Sequence, residues 1–481
     1  MKKTEKMKKT KMLRKLYLLA LAALVLGSAL VTWEEAGAIP PFARKYQTSC
    51  STCHVMFPKL NAFGDAYRLN AYQIPAPEGD EPYIKDKPLQ IEAPAWKELW
   101  PQAIWPGTIP GMPPIGVRFI TDLQWTQDET KDFSTNFEFP HEIEPLFGGT
   151  FGSDLGFFGQ IEFKTPDKVA LQQAFMKFQD PLTNLGLPVP ERAFNLWVGK
   201  FDANLLPSYR NFTRVGRVHP LWGNKRLSDL KLTNPVTGAS RSFNSGYRSQ
   251  DFQPGAEVNG ILFQRFGYAF GFMQGQKDEV IDKNDHKDFY YTARLKLWGR
   301  GLDGSLPGEG LTIAAPATGG WVDNTLEIEH FGYFGKFPVQ AKPRIEDEFD
   351  RFGVALRGSY QNLDLAVGYV WGHHDRPWAP ASLQGADYRS PFVKAEYMFL
   401  PWLMGLLKWE MLEVDRPSDL VAQGFTRGSL DQTRWLPGVA FLIRANVRLV
   451  VEGEIFSVHK ESEQAGQSKP HNLWVRLDFA F

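Results

Sequence analysis

His471-Asn472-Leu473-Trp474-Val475-Arg476-Leu477-Asp478-Phe479-Ala480-Phe481 ends the chain, and it reads in twos. Leu473, Val475, Leu477, Phe479 and Phe481 share one face, while Trp474, Arg476, Asp478 and Ala480 share the other, which is the alternation of a β-strand. Working back from it, Leu449, Val451 and Ile455 oppose Arg448, Glu452 and Glu454. Val393, Ala395, Tyr397 and Phe399 oppose Lys394, Glu396 and Met398, and Leu363, Leu365, Val367, Tyr369 and Trp371 oppose Asp364, Ala366, Gly368 and Val370. Tyr291, Ala293, Leu295 and Leu297 stand in the same way against Thr292, Arg294 and Lys296. The pattern holds from about Ile115 to the end, so this part of the chain is all-β.

Alternation alone fits a soluble sandwich or propeller as well as a barrel. Connection lengths separate them. Arg265–Gly267, Tyr360–Leu363, Phe399–Trp402 and Ala445–Val447 are tight reversals, and long polar stretches lie between them near 277–288, 373–389, 415–433 and 458–470. Short turns alternating with long loops, apolar aromatic faces opposed to charged ones, and a terminal aromatic residue, Phe481, predict a transmembrane outer-membrane β-barrel. No segment after the leader approaches the ~20 apolar residues that a membrane-spanning helix needs. About 370 residues at roughly 20 to 25 per strand and loop predict about 16 antiparallel strands, since single-chain bacterial barrels use even numbers. The interval 299–323 falls where a short turn belongs, so it is either an elaborated turn or a missed pair of strands. Trp298, Trp371, Trp409 and Trp435 are expected in the aromatic girdles at the membrane surfaces. His373-His374-Asp375 is expected as a solvent-facing loop run rather than a metal site. Glu410, Glu413, Glu452, Glu454 and Glu346-Asp347-Glu348 are expected as lumen or loop charges.

The front of the chain is different. Eight basic residues precede the apolar run Leu16–Val31, and Ala36-Gly37-Ala38 follows with small residues at cleavage-site spacing, predicting a signal peptide over 1–38. The 54 basic and 54 acidic residues of the whole chain then become 46 and 51, a net −5, which offers no basic stripe for a nucleic acid. The only two cysteines fall in Cys50-Ser51-Thr52-Cys53-His54. C-x-x-C-H is the spacing of covalent c-type haem attachment, with both thiols adding to the haem vinyls and the imidazole as proximal iron ligand. A zinc site would want four ligands, a thioredoxin-like dithiol a βαβ context, and a disulfide would leave His54 idle. Asn61 is placed to cap a short helix whose apolar face, Leu60, Phe63 and Tyr67, would pack on the porphyrin. The expected organisation is a signal peptide over 1–38, a small α-helical haem segment over 39–75, a Pro- and Trp-rich linker over 76–113 and the barrel over 114–481. For the distal iron ligand, Met56 is too near His54 to reach the opposite face. Met112 in the linker is the first candidate, with Met398 and His141 as lumen candidates.

Residues 41–73, PFARKYQTSCSTCHVMFPKLNAFGDAYRLNAYQ, resemble the haem segment of the outer-membrane monohaem cytochrome-porin fusions of iron-oxidising bacteria. Phe42-Ala43-Arg44, Phe57-Pro58-Lys59-Leu60-Asn61-Ala62-Phe63-Gly64 and Ala71-Tyr72 carry the likeness around the haem motif. Over the barrel it extends only to size and pattern. The resemblance implies one covalent haem c on Cys50 and Cys53 with His54 below the iron. It also implies electron transfer between an extracellular donor or acceptor, with Fe(II) as a candidate donor, and a periplasmic cytochrome. Two other readings stay open: a solute porin whose haem segment is a plug or sensor, and a haem enzyme acting on a small molecule such as a peroxide.

Overall fold

The computed structural model describes residues 41–85, 115–128, 131–152, 154–164, 168–209, 214–223, 227, 230–244, 252–275, 286–305, 323–341, 344–428, 430–458 and 471–480. Among these, sixteen antiparallel strands close into one barrel. In chain order they are β1 (Ile115–Asp128), β2 (Lys131–Phe151), β3 (Leu155–Lys164), β4 (Lys168–Phe178), β5 (Asn195–Phe201), β6 (Gln253–Leu262), β7 (Phe266–Met273) and β8 (Asp288–Trp298). There follow β9 (Thr325–Ala341), β10 (Arg344–Tyr360), β11 (Leu363–His374), β12 (Ala386–Leu400), β13 (Leu403–Val414), β14 (Gln432–Arg444), β15 (Val447–Val458) and β16 (His471–Ala480). The last strand pairs with the first, Trp474 against Gln124 and Asp478 against Ile120, so the sheet has no free edge. Closure is what lets a sheet cross hydrocarbon, because every backbone polar group finds a partner within it.

The period-2 pattern sorts outside from inside as read. Along β11, Val367 is 47 % exposed and Leu363, Leu365 and Tyr369 are exposed with it, whereas Asp364 is 1 % exposed and Ala366 and Val370 are buried. Trp298 and Trp435 are exposed on the outer face, and Trp409 pairs across the strands with Trp435. The four tight reversals and the long connections fall where expected. Across the interval 299–323, β8 pairs directly with β9, so no further strand stands between them in the barrel; residues 306–322 of that interval lie outside the described residues. The His373-His374 pair departs from expectation: both residues end β11 within the sheet, and His374 is fully buried with Nδ1 2.6 Å from Asp347 Oδ2. A carboxylate inside the wall gives that ring a partner, which a solvated loop would not have needed. No helix among the described residues is long and apolar enough to cross a membrane.

Among the described residues, two segments of the chain occupy the barrel interior. Residues 41–85, with helices α1 (Pro41–Tyr46) and α2 (Ala62–Leu69), pack at the short-turn end. Lys59 Nζ meets Asp364 Oδ2 at 2.5 Å and also bonds Glu396, while Arg294 holds Asp65 at 2.5 Å. The second segment, between β5 and β6, enters from the opposite end. Leu205, Leu206, Leu221, Trp222, Leu227 and Leu230 are all buried there against wall aromatics such as Phe331, Tyr333 and Phe392. Its polar atoms bond the wall as well: the Ser208 hydroxyl donates to Glu329 at 2.7 Å and the Val218 N–H to Glu452 at 2.8 Å.

Candidate functional site

Cys50, Cys53 and His54 sit on a turn whose shape the local sequence dictates. A short 3-10 helix, Cys50–Thr52, is capped by Ser49 and leads into a two-stranded hairpin in which His54 faces Leu60. Asn61 ties this hairpin to α2. Its backbone N–H donates to the Cys53 carbonyl at 2.9 Å, and its side-chain oxygen accepts from Gly64 N–H at 2.8 Å as the helix N-cap. Gly64 allows the contact: a Cβ there would lie 2.1 Å from the Cys53 carbonyl oxygen. Asp80 closes the segment by accepting from Lys45 at 2.6 Å, Tyr46 at 2.7 Å and the Ile74 N–H at 2.7 Å. Packing thus continues through Lys85.

Both cysteines and His54 line a single cavity of about 440 Å³, within the range of small-molecule and cofactor sites. Leu60, Phe63 and Tyr67 line it too, so the predicted helix face does turn toward the motif. The barrel supplies the opposite wall, with Phe158, Phe175 and Trp197 among its residues. The two sulfurs are not bonded to each other. Burial pushes the Cys53 thiol up to about 12 and raises Cys50. Burial also lowers His54 to about 4, against the opposing hydrogen bonds of the Pro58 and Lys59 backbone, so the ring is neutral. His54 Nδ1 lies 3.1 Å from the Pro58 carbonyl oxygen. A carbonyl only accepts, so Nδ1 carries the proton and Nε2 keeps a lone pair for a metal. A backbone carbonyl that orients the ring in this way is the usual outer partner of a metal-ligating histidine. Two thiols, an imidazole with a free Nε2 and an apolar wall form a donor set that fits a covalently attached haem. Among the described residues no three His, Cys, Asp or Glu side chains gather as a metal cage.

The other ligand candidates are not brought to this cavity. Met398 and Met56 are buried together with Val55, Val215 and Met404 in a separate cluster. His141 faces carboxylates, with Nε2 3.2 Å from Glu142 and Nδ1 bonded to Glu138. Residue type alone suggested both, and their positions in the barrel wall set them elsewhere. Met112 lies outside the described residues, as do the leader and Phe481. Of the expected lumen or loop charges, Glu410, Glu452 and Glu454 are inside: Arg434 bridges Glu410 at 2.5 Å and Glu454 at 2.6 Å, and Lys408 meets Glu452 at 3.0 Å, whereas Glu413 lies in β13 on its outward face, bonded to Arg389. Sequence reasoning missed the inner segment after β5 and the part played by Lys59 and Arg68. The signal in the sequence was the recurrence of Leu205, Leu206, Leu221, Trp222, Leu227, Leu230 and Leu232 in what otherwise reads as a loop.

No known protein family profile matches this chain, and no curated protein matches it. Among solved structures, the chain is similar to the anion-selective porin from Comamonas acidovorans, at 10% identity and a TM-score of 0.49 over 76% of this chain and 98% of that one. It is similar to OmpF of Salmonella typhi, at 11% and 0.48 over 76% and 97%. It is also similar to OprB of Pseudomonas putida, at 10% and 0.49 over 76% and 94%. The closed strand pairing of the chain itself defines its class, a porin-like outer-membrane barrel.

Proposed function

We propose that this protein exchanges electrons across the outer membrane through one haem c, joined to Cys50 and Cys53 and ligated by His54. The observation that carries this reading is that the three residues of the C-x-x-C-H motif open onto one apolar cavity inside the barrel. The cavity lies at the short-turn end, which is periplasmic in bacterial barrels. A periplasmic cytochrome is the natural partner there, and an extracellular donor, with Fe(II) the one the resemblance implies, is the partner at the other mouth. The haem supplies a one-electron couple. The chain orients the imidazole through Pro58, and the apolar wall keeps water from the site.

The solute-pore reading draws on the charged interior wall, with residues 41–85 as a plug. One experiment separates the two. The protein is expressed with cytochrome c maturation, stained for haem on a denaturing gel, titrated with Fe(II), and inserted into planar bilayers. Covalent pigment, reduction by Fe(II) and low conductance are expected. Absence of pigment defeats the haem reading. Pigment together with high conductance, unchanged in Cys50→Ala, favours the pore.

A further inference from the structure

Two buried donors beside this cavity have no hydrogen-bond partner. Arg68 Nε, on the last turn of α2, and Trp197 Nε1, on β5, are each buried without a hydrogen bond. Both residues line the cavity shared by Cys50, Cys53 and His54, and the Arg68 guanidinium carbon stacks 5.5 Å from the centre of the Trp197 ring. Leaving such groups unsatisfied costs free energy, so side-by-side orphan donors ask for an acceptor. The nearest carboxylate to Arg68, Asp65, is 3.8 Å away and is engaged by Arg294 at 2.5 Å. Lys177 adds positive charge at the same place, its Nζ 4.0 Å from the centre of the Trp197 ring while it donates to the Arg68 carbonyl at 2.5 Å. The other guanidinium lining the cavity, Arg118, is committed to Asp478 at 2.7 Å and Glu144 at 3.0 Å. A ligand filling the cavity and carrying a carboxylate would offer one acceptor to both donors.

We propose that Arg68 and Trp197 Nε1 bind a propionate carboxylate of the haem, fixing its rotation in the cavity and holding its potential up. This rests on the haem reading above. An ionised carboxylate suits a guanidinium and an indole N–H better than a neutral acceptor does, because charge-assisted bonds are the stronger ones.

The test uses the full-length haem protein in detergent, with Arg68→Leu, Arg68→Lys and Trp197→Phe. Haem-stained gels report covalent attachment, and spectroelectrochemistry at pH 8, where the carboxylate stays ionised, reports the midpoint potential. All three variants should keep the pigment, since the thioethers are untouched. Arg68→Leu should shift the ferrous-to-ferric ratio about tenfold toward ferric, about 59 mV lower for a one-electron couple. Trp197→Phe should fall by less in the same direction, and Arg68→Lys should lie nearest the unaltered protein. If Arg68→Leu does not fold, the other two variants carry the comparison. Pigmented variants whose potentials match the unaltered protein would overturn the assignment. A colourless unaltered protein would instead overturn the haem reading itself.

Discussion

Replacing Lys59 by Met should loosen the inner segment without dissolving the barrel. Lys59 is 7 % exposed, and its ammonium sits between Asp364 at 2.5 Å and Glu396. Burial alone would lower its pKa, but the two carboxylates outweigh that and raise it, so the side chain is charged. Removing one partner of a buried pair typically costs about 3–5 kcal/mol, because the other charge is left uncompensated. Here Arg357 still holds Asp364 at 2.8 Å and Lys394 lies 3.6 Å from Glu396, so the cost belongs near the lower end. At about 1.4 kcal/mol per tenfold, a loss of about 3 kcal/mol raises the population of the displaced segment by roughly two orders of magnitude. Hydrogen exchange by mass spectrometry reads this directly: amides of 54–69 should lose protection while those of β11 and β12 keep theirs. Adding Asp364→Asn to Lys59→Met should restore part of the protection, because Arg357 keeps Glu327 at 3.1 Å and Glu396 keeps Lys394. Unchanged protection in Lys59→Met, or an equal loss across the barrel, would refute the claim that this triad pins the segment.

Three further outcomes follow from the same geometry. Gly64→Ala places a methyl group 2.1 Å from the Cys53 carbonyl oxygen, so the ratio of haem stain to protein stain should fall several-fold; equal staining would show that the turn tolerates the change. Trp222 is 2 % exposed and packs on Phe331, so Trp222→Ala should cost about 3–5 kcal/mol locally. It should raise conductance in planar bilayers while the barrel stays heat-modifiable on gels; unchanged conductance would mean that the segment after β5 is not the seal. In proteoliposomes of fixed orientation, a membrane-impermeant reductant offered at the short-turn side should reduce the haem faster than one offered at the loop side, and equal rates would contradict the position of the cavity.

Much of this was legible in the linear chain, for a definite reason. A strand with lipid on one side and packed charge on the other has no freedom to break its alternation, so Leu363–Trp371 and Leu473–Phe479 announce their faces residue by residue. The C-x-x-C-H motif is equally local, as is the Asn61 cap. What the chain conceals is partnership inside the lumen. Lys59 and Asp364 are 305 residues apart in sequence, and nothing near either one marks the other. The segment after β5 shows no sustained period because its described residues hold only a 3-10 turn, Pro207–Tyr209, and two three-residue strands, Lys231–Thr233 and Ser240–Ser242, yet its leucines and Trp222 form part of the core. His374 was misplaced for a related reason: two histidines before Asp375 resemble a polar loop until β11 is seen to run through them.

The interior explains why these pieces belong together. A water-filled pore can leave wall charges hydrated, but here they are buried, and buried charges persist only when they are paired. Many pairs join wall to wall, as Arg434 does to Glu410 and Glu454, and the two inward segments add others: Lys59 to Asp364 and Glu396, Ser208 to Glu329, and Arg217 and Val218 to Glu452. The large space which that packing leaves at the short-turn end is lined by Cys50, Cys53 and His54 on one side and by β-strand aromatics on the other. A group anchored there by two covalent bonds would complete the filling, and its removal would expose both the apolar wall and the orphan donors of Arg68 and Trp197 to water. On the proposed reading, attachment of a haem and seating of the inner segment are one structural problem, so a chain that cannot form the thioethers should hold residues 41–85 less firmly.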